Sequence, residues 1–205
     1  MAMKKKEILL LGRHADKEPL LNELSVFGNV TFCDDKAWCG SVKRCDVAIS
    51  YCYAKIIKNE EIKKIGCNVL NVHPSYLPYG RGIYPILWSA ALGNKQGVTI
   101  HTIDSSEIDN GRIVYQEEFK FPLEVTLSQA HRYLLSQARS SLLYLLMNKN
   151  LNQFINTCKT SDQFIAKETY RNKNESEELL ALLPKKWEST LEEVNDIYKE
   201  VKKSD

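Results

Sequence analysis

Asn71 and His73 are the two side chains in this sequence whose types and spacing best suit catalysis. They lie near the end of NVLNVHP, where Val and Leu predict a buried strand that stops at Pro74. Side chains two positions apart on a strand share one face, so the amide and the imidazole are neighbours. An amide N–H can stabilise an oxyanion, and an imidazole, with a usual pKa of about 6.5, exchanges protons near neutral pH. A pair of packed core side chains is the alternative interpretation.

Two polar segments that follow could complete a site. The first, SYLPYGRGIYP, comes directly after the strand and contains Arg81, which could bind a phosphate or carboxylate or simply face solvent. The second, SSEIDNG, is a turn between two predicted strands and contains Asp109. A carboxylate can orient an imidazole and stabilise its charged form, although Asp is also a common turn former. His101, on the strand before that turn, is interpreted as a packed structural histidine.

Strands and helices alternate through the first half of the chain, and they must position these residues. Short apolar runs predict buried strands, and segments with helical spacing of apolar residues lie at 19–27, 58–65 and 84–92. This alternation predicts an α/β fold with an open, mostly parallel twisted sheet. Ligands bind at the carboxyl ends of strands in such sheets, which is where Asn71 and His73 fall. The predicted strands are EILLLG, NVTFC, CDVAISYCY and CNVLNVHP, then GVTIHTID and GRIVYQEEF near one edge.

The second half of the chain is predicted to be helical. Residues 126–147 form a long amphipathic helix, and residues 187–201 form a charged helix with a thin apolar stripe. The change of composition after residue 148 predicts a catalytic α/β domain at 1–148 and a helical C-terminal extension at 149–205. The extension is expected to pack on its own domain or on a second copy in a homodimer. The predicted buried side of the long helix is Leu127, Ala130, Leu134, Ala138, Leu142 and Leu146.

Composition argues against several classes of function. The chain has 205 residues and a formal charge of +2, too small to indicate a nucleic-acid or anionic-membrane partner. Its 6 cysteines lack CxxC spacing, so reduced thiols and no metal site are expected. No apolar run is long enough to span a bilayer, and a cytoplasmic protein is predicted. The first strand ends in LGRHAD, which is neither a dinucleotide-binding nor a Walker motif.

The segment from NVLNVHPSYLPYG to SSEIDNGRIVYQ resembles the core signature of the folate-dependent formyltransferases. That family has a strand ending in N-x-H-P-S-x-L-P, a GVT-x-H strand, and a turn in which Asp precedes a small residue and Gly. All three parts occur here in order. The resemblance implies a Rossmann-like formyltransferase core, 10-formyltetrahydrofolate as co-substrate, and catalytic roles for Asn71, His73 and Asp109.

The resemblance also implies where the folate binds. The family holds the pterin ring largely through backbone hydrogen bonds of the segment before the motif strand, here SYCYAKII. Two positions in this region depart from the usual pattern, with Cys52 in place of Gly and Lys58 in place of Pro. The implied cofactor-binding residues are Tyr53, Lys55, Ile56 and Ile57, with Ser105, Ser106 and Glu107 closing over the ring.

Outside the core motif, the sequence is most similar to the sugar N-formyltransferases, which act on nucleotide-linked 4-amino-4,6-dideoxysugars for surface polysaccharides. LGRHADKE is not the phosphate loop of the glycinamide ribonucleotide enzymes, and the region after residue 121 is short for the OB-type domain of the methionyl-tRNA enzymes. Those two transferases, a 10-formyltetrahydrofolate hydrolase and a non-catalytic folate-binding protein remain alternatives. The implied substrate-facing residues are Tyr76, Tyr79, Arg81 and Tyr84.

Overall fold

The computed structural model describes residues 5–13, 19–34, 44–148, 150–158 and 170–204. They form two compact units, each made of three stretches of sequence. As far as they are described, Met1–His73, Ile100–Tyr115 and Arg139–Gln163 form unit 1, and Pro74–Thr99, Gln116–Ala138 and Phe164–Asp205 form unit 2. The domain boundary predicted after residue 148 stays a prediction.

The main sheet has six strands, and helices alternate with them along the chain. The strands of the chain are β1 (Lys6–Gly12), β2 (Gly28–Asp34), β3 (Val47–Tyr51), β4 (Val69–His73), β5 (Arg81–Gly82), β6 (Gln96–Thr102), β7 (Ile113–Phe119) and β8 (Tyr170–Arg171). The order in the main sheet is β2-β1-β3-β4-β6-β7, and the first three neighbouring pairs are parallel. This arrangement confirms the predicted α/β class with an open, mostly parallel sheet.

The helices of the described residues vary in length from fewer than two turns to more than five. They are α1 (Leu20–Ser25), α2 (Asn59–Ile65), α3 (Pro85–Leu92), α4 (Leu127–Leu146), α5 (Leu151–Thr157), α6 (Lys173–Leu182) and α7 (Leu191–Ser204). In α4, all six residues of the predicted apolar side are buried. None of the described helices has the length and apolar character needed to cross a lipid bilayer.

The core of unit 1 lies around the first strands of the sheet. Every residue of β3 is buried, and β1 is buried from Ile8 onward. Continuous apolar runs of this kind are typical of parallel strands that are covered on both faces. One cluster of buried side chains joins these strands to the helix α2 and the segment before it; it includes Leu9, Leu11, Ala48, Ile57, Ile65 and Val69.

In unit 2, the C-terminal helices pack against α3 of the same chain. Trp88 Nε1 donates a hydrogen bond to Ser176 Oγ at 2.9 Å, and the Asn195 amide donates to Ala90 O and Ala91 O at 3.1 and 3.0 Å. The helix predicted at 187–201 begins instead at Leu191, after a short 3-10 turn. The reason is local: Glu193 N donates to Thr190 Oγ1, and Thr190 N donates to the Glu193 carboxylate.

Candidate active site

The strand β4 carries Asn71 and His73 at its carboxyl end, where the sequence predicts them. Asn71 is opposite Ser50 of β3 in the parallel register. His73 is buried, with 6% of its surface exposed, and Asn71 is half-buried. Two polar side chains on the last residues of a buried strand require polar partners, because burial without a hydrogen bond is costly.

Asp109 is the partner that the structure places beside both residues. It lies in the loop between β6 and β7 at a φ of 49°, a left-handed conformation that Asp adopts more readily than most residues. Asn71 Nδ2 donates to Asp109 Oδ1 at 3.2 Å, and His73 Nε2 is 3.7 Å from Asp109 Oδ2. The three residues that the resemblance implies to be catalytic therefore lie together in unit 1.

His101 is the fourth member of this group, and it was interpreted from sequence as a packed structural histidine. It is buried, and its Nδ1 lies 2.8 Å from Thr102 O. A carbonyl oxygen only accepts, so Nδ1 carries the hydrogen. The opposite nitrogen, Nε2, is 3.1 Å from Asn71 Nδ2 and 3.4 Å from Asp109 Oδ1. We call Asn71, His73, His101 and Asp109 the polar cluster.

The polar cluster has the parts that acyl transfer requires. The Asp109 carboxylate faces two imidazoles, with Oδ1 toward His101 and Oδ2 toward His73. A carboxylate in this position stabilises an imidazole that has taken a proton. In the neutral ring of His101, Nε2 accepts from Asn71, so the Asn71 amide directs one N–H to His101 and one to Asp109. A substrate oxygen that binds Asn71 must therefore displace one of these two acceptors.

The segment predicted to hold the folate runs from β3 to α2, also in unit 1. Its residue Cys52 has a φ of 52°, in the left-handed region that favours glycine. This backbone geometry explains why the family pattern has Gly at that position. Ile57 is buried in the core of unit 1, whereas Ile56 is 57% exposed. Tyr53 is half-buried against the same core, and Lys55 is exposed.

The second departure from the family pattern, Lys58, keeps the backbone shape of proline. Its φ is −74°, close to the value that a proline ring imposes. Unlike proline, Lys58 retains an N–H, which donates to Glu61 Oε2 at 2.7 Å and caps the start of α2. The substitution therefore replaces a rigid residue by a helix cap at little cost in backbone geometry.

Asn59, the first residue of α2, was not predicted as a site residue. Its Oδ1 accepts a hydrogen bond from Ser106 N at 2.9 Å. This bond joins the segment Ser105–Glu107 to the start of α2, directly after the other segment implied to hold the folate. Ser105 in turn accepts from Glu107 N at 3.2 Å. No periodic pattern in the sequence indicates a contact between residues so far apart.

The four residues implied to face the substrate all lie in unit 2. The ring of Tyr76 is 5.0 Å from Lys95 Nζ, and Tyr79 N donates to Tyr76 O at 3.1 Å. Arg81 is half-buried on the short strand β5, opposite Tyr170 of β8. Tyr84 has a φ of 53°, and its ring contacts that of Trp187 edge-on, with centroids 5.1 Å apart. Their role toward a substrate stays a prediction.

The polar cluster lies within the part of the chain that is similar to known sequences. The formyl transferase family model matches residues 35–145, which contain all four residues of the cluster. A dTDP-4-amino-4,6-dideoxyglucose formyltransferase from Mycobacterium tuberculosis is 34% identical over 110 residues, which make up 53% of this chain and 46% of that protein. A methionyl-tRNA formyltransferase from Borrelia garinii is 40% identical over 78 residues, or 37% of this chain and 24% of that protein. The chain therefore spans less than half the length of these curated relatives.

Solved structures are similar over a larger part of the chain. The formyltransferase PseJ from Anoxybacillus kamchatkensis, in complex with UDP-4,6-dideoxy-4-formamido-L-AltNAc and tetrahydrofolate, has a TM-score of 0.78 and 28% identity over 92% of this chain and 97% of its own. A sugar N-formyltransferase from Shewanella has a TM-score of 0.66 at 19% identity over 93% of this chain and 86% of its own, which is a likeness of fold alone. Because the family model matches more than half of its residues, this chain belongs to the formyl transferase family.

Proposed function

We propose that this protein is a sugar N-formyltransferase, which moves the formyl group of 10-formyltetrahydrofolate to the amine of a nucleotide-linked 4-amino-4,6-dideoxysugar. The observation that carries the proposal is the largely buried polar cluster within the residues matched by the family model. The acceptor class is supported by the similarity to PseJ, whose structure contains a UDP-linked 4-formamido sugar and tetrahydrofolate. The similarity to a dTDP-4-amino-4,6-dideoxyglucose formyltransferase supports the same class.

The proton-handling residues of the proposed reaction are His73 and Asp109. When bound, 10-formyltetrahydrofolate supplies the formyl carbon that the amine of the acceptor attacks. His73 Nε2 takes a proton from the attacking amine as a general base. Asp109 Oδ2, 3.7 Å away, stabilises the imidazolium that results. His73 then returns this proton to the nitrogen of the leaving group.

Asn71 is proposed to stabilise the oxyanion that develops as the amine attacks. One N–H of its Nδ2 leaves His101 or Asp109 and donates instead to the oxygen of the transferred formyl group. A single donor in such a position is worth about 3 kcal/mol in comparable sites. The acceptor that keeps its bond, His101 or Asp109, holds the amide while the other N–H binds the substrate oxygen.

Two features of the segment before α2 support a proposed role in binding the pterin ring. Residues 52–58 lie outside the helices and strands, so their backbone groups do not belong to a regular hydrogen-bond ladder. The exposed side chain of Ile56 offers an apolar surface for an aromatic ring, while the buried Ile57 fixes the backbone beside it. The bond from Ser106 N to Asn59 keeps the second folate-facing loop next to this segment. We propose that Tyr53, Lys55, Ile56, Ile57, Ser105, Ser106 and Glu107 contact the cofactor.

Tyr76, Tyr79, Arg81 and Tyr84 are proposed to contact the nucleotide-linked sugar. The guanidinium of Arg81 can bind a diphosphate through paired hydrogen bonds. Tyrosine side chains combine an apolar ring with a hydroxyl, which suits contacts with a sugar and a base. The catalytic part of the chain is proposed to be residues 1–148.

A panel of acceptors tests the proposal. The protein is incubated with 10-formyltetrahydrofolate and, separately, UDP- and dTDP-linked 4-amino-4,6-dideoxysugars, glycinamide ribonucleotide and methionyl-tRNA, and each product is identified by mass spectrometry. We expect formylation of the aminosugars alone, and we expect Asp109→Asn to slow it at least about 100-fold. Formylation of another acceptor would replace the proposed substrate. Tetrahydrofolate release without an acceptor would indicate a hydrolase, and folate binding without turnover would indicate a binding protein.

A further inference from the structure

Residues 103–112 form the loop between β6 and β7, and this loop carries Asp109. The two ends of the loop meet at Thr102, which is buried. Thr102 N donates to Arg112 O at 2.9 Å, and Arg112 N donates to Thr102 Oγ1 at 2.8 Å. Gly111 lies so close that a Cβ atom there would be 1.6 Å from Thr102 O, so the backbones meet only because this residue is glycine.

The side chains of Asp104 and Arg112 close the base of the loop. Arg112 Nε donates to Asp104 Oδ2 at 3.2 Å, and Arg112 Nη2 donates to Asp104 Oδ1 at 3.1 Å. Thr102 Oγ1 also donates to Asp104 Oδ2, at 2.5 Å. Burial raises the pKa of Asp104, but the hydrogen bonds from Arg112 and Thr102 outweigh it and hold that pKa below its usual range. Asp104 is therefore ionised near neutral pH and pairs with a full charge.

Arg112 also contacts a part of the chain outside the residues that match the family. Its Nη1 donates to Ile155 O at 3.2 Å, near the end of α5. The family model ends at residue 145, and α5 begins at Leu151. One guanidinium thus joins both ends of the Asp109 loop to a helix of the predicted C-terminal extension. The Arg112 side chain is 19% exposed and that of Asp104 is 45% exposed, so the bond to Ile155 O is better shielded from water than the bonds to Asp104.

We infer that Arg112 is a positioning residue, which holds Asp109 at its place in the polar cluster by bracing the loop between Asp104 and α5. The expected effect on catalysis rests on the proposed function. The expected effect on the loop rests only on the contacts of Arg112. Asp109 meets Asn71 at 3.2 Å and His73 at 3.7 Å, so a small movement of the loop changes both distances by a large fraction. Misplacement of a reacting group by about 1 Å can cost about 100-fold in rate.

Lysine cannot make the contacts of Arg112 with both Asp104 and Ile155 O. The three nitrogens of Arg112 reach two carboxylate oxygens and one carbonyl in different directions. A single ammonium group lacks the planar fork that makes such paired contacts. Arg112→Lys is therefore expected to keep the charge near Asp104 while losing the bond to α5 or one of the bonds to Asp104.

The test compares Arg112→Ala and Arg112→Lys with a matched control, Arg139→Ala. Arg139 forms an ion pair of similar exposure with Glu23 in the same unit, with Nε 3.2 Å from the carboxylate. With the formyl donor and the best acceptor of the panel, we expect kcat to fall about 30-fold in Arg112→Ala and about 5-fold in Arg112→Lys, with both KM values within about 2-fold. Arg139→Ala should retain the wild-type kcat.

Hydrogen–deuterium exchange of the same variants provides a readout that does not depend on turnover. We expect faster exchange at residues 103–110 in Arg112→Ala than in either the wild type or Arg139→Ala. Unchanged exchange in this loop, or a kcat loss equal to that of the control, would overturn the inference. Another outcome is that the wild-type protein formylates no amine while the loop still exchanges faster in Arg112→Ala. That result would contradict the proposed function and would still show that Arg112 holds the loop in place.

Discussion

Two segments of unit 1 are needed for the proposed reaction, and they are held in different ways. The loop 103–112 carries Asp109, and side-chain bonds among Thr102, Asp104 and Arg112 close its base. The folate segment, which we define as residues 52–58, is fixed by burial of Ile57 and by the capped start of α2. A hydrogen bond from Ser106 N to Asn59 Oδ1 links the loop to the first residue of α2, which directly follows the folate segment.

The difference follows from what each segment has to do. The proposed role of Asp109, stabilising a charged imidazole, requires precise placement, and directional bonds between charged and polar side chains hold its loop. The proposed role of the folate segment, binding a ring through its backbone, requires a particular main-chain shape, which different side chains can adopt. The folate segment illustrates this, because Cys52 and Lys58 have the φ values expected of Gly and Pro.

The largest effect is expected from the loop with Asp109. Asp109→Asn keeps the shape of the side chain but removes the charge that stabilises a protonated His73. We expect kcat for formyl transfer to fall at least about 100-fold, with little change in the KM for 10-formyltetrahydrofolate. Steady-state kinetics with the best acceptor of the panel measures both constants. An equal rise in KM with an unchanged kcat would mean that Asp109 binds the cofactor instead.

An intermediate effect is expected from the bond between the loop and the start of α2. Asn59→Ala removes the acceptor for Ser106 N, and we expect the KM for 10-formyltetrahydrofolate to rise up to about 10-fold because one hydrogen bond is lost. Asn59→Asp keeps an oxygen in the same place and serves as the matched control, with a KM near that of the wild type. Equal KM values for the alanine variant and the wild type would show that the two segments bind the cofactor independently.

The smallest effect is expected from the strained position in the folate segment. A residue with a Cβ atom at the φ of Cys52, 52°, pays a conformational cost that glycine avoids. Cys52→Gly is expected to raise the free energy of unfolding by about 0.5–1 kcal/mol after the entropy of glycine is subtracted. Cys52→Ala retains the Cβ atom and should bring no such gain. Urea unfolding of the three proteins measures the difference, and a gain in both variants would assign it to loss of the thiol.

The elements of the fold and one part of the site follow from sequence pattern because they depend on local periodicity. The apolar spacing of α4 predicts its buried side correctly, since a long helix that packs on a core repeats every 3.6 residues. The period of two on β4 likewise predicts that Asn71 and His73 are neighbours. The start of α7 was misjudged by four residues, although the Thr190–Glu193 capping pair that sets it is visible in the sequence.

The rest of the site depends on contacts between residues far apart in the chain. His101 meets Asn71 only because β6 lies next to β4 in the sheet, and the sequence of β6 alone is equally consistent with a packed core histidine. Arg112 and Asn59 were missed for the same reason, since their partners Ile155 and Ser106 lie on other elements. A pattern within one element cannot indicate which side chain of another element it will meet.

The fate of the formyl carbon tests the central claim most directly. The protein is given 10-formyltetrahydrofolate with an isotopically labelled formyl carbon and a nucleotide-linked 4-amino-4,6-dideoxysugar, and the products are followed by NMR. We expect the label to appear in a formamide on the sugar, one for each tetrahydrofolate released, and we expect Asp109→Asn to slow both at least about 100-fold. Label recovered as formate, with tetrahydrofolate released at the same rate whether or not the sugar is present, would contradict it.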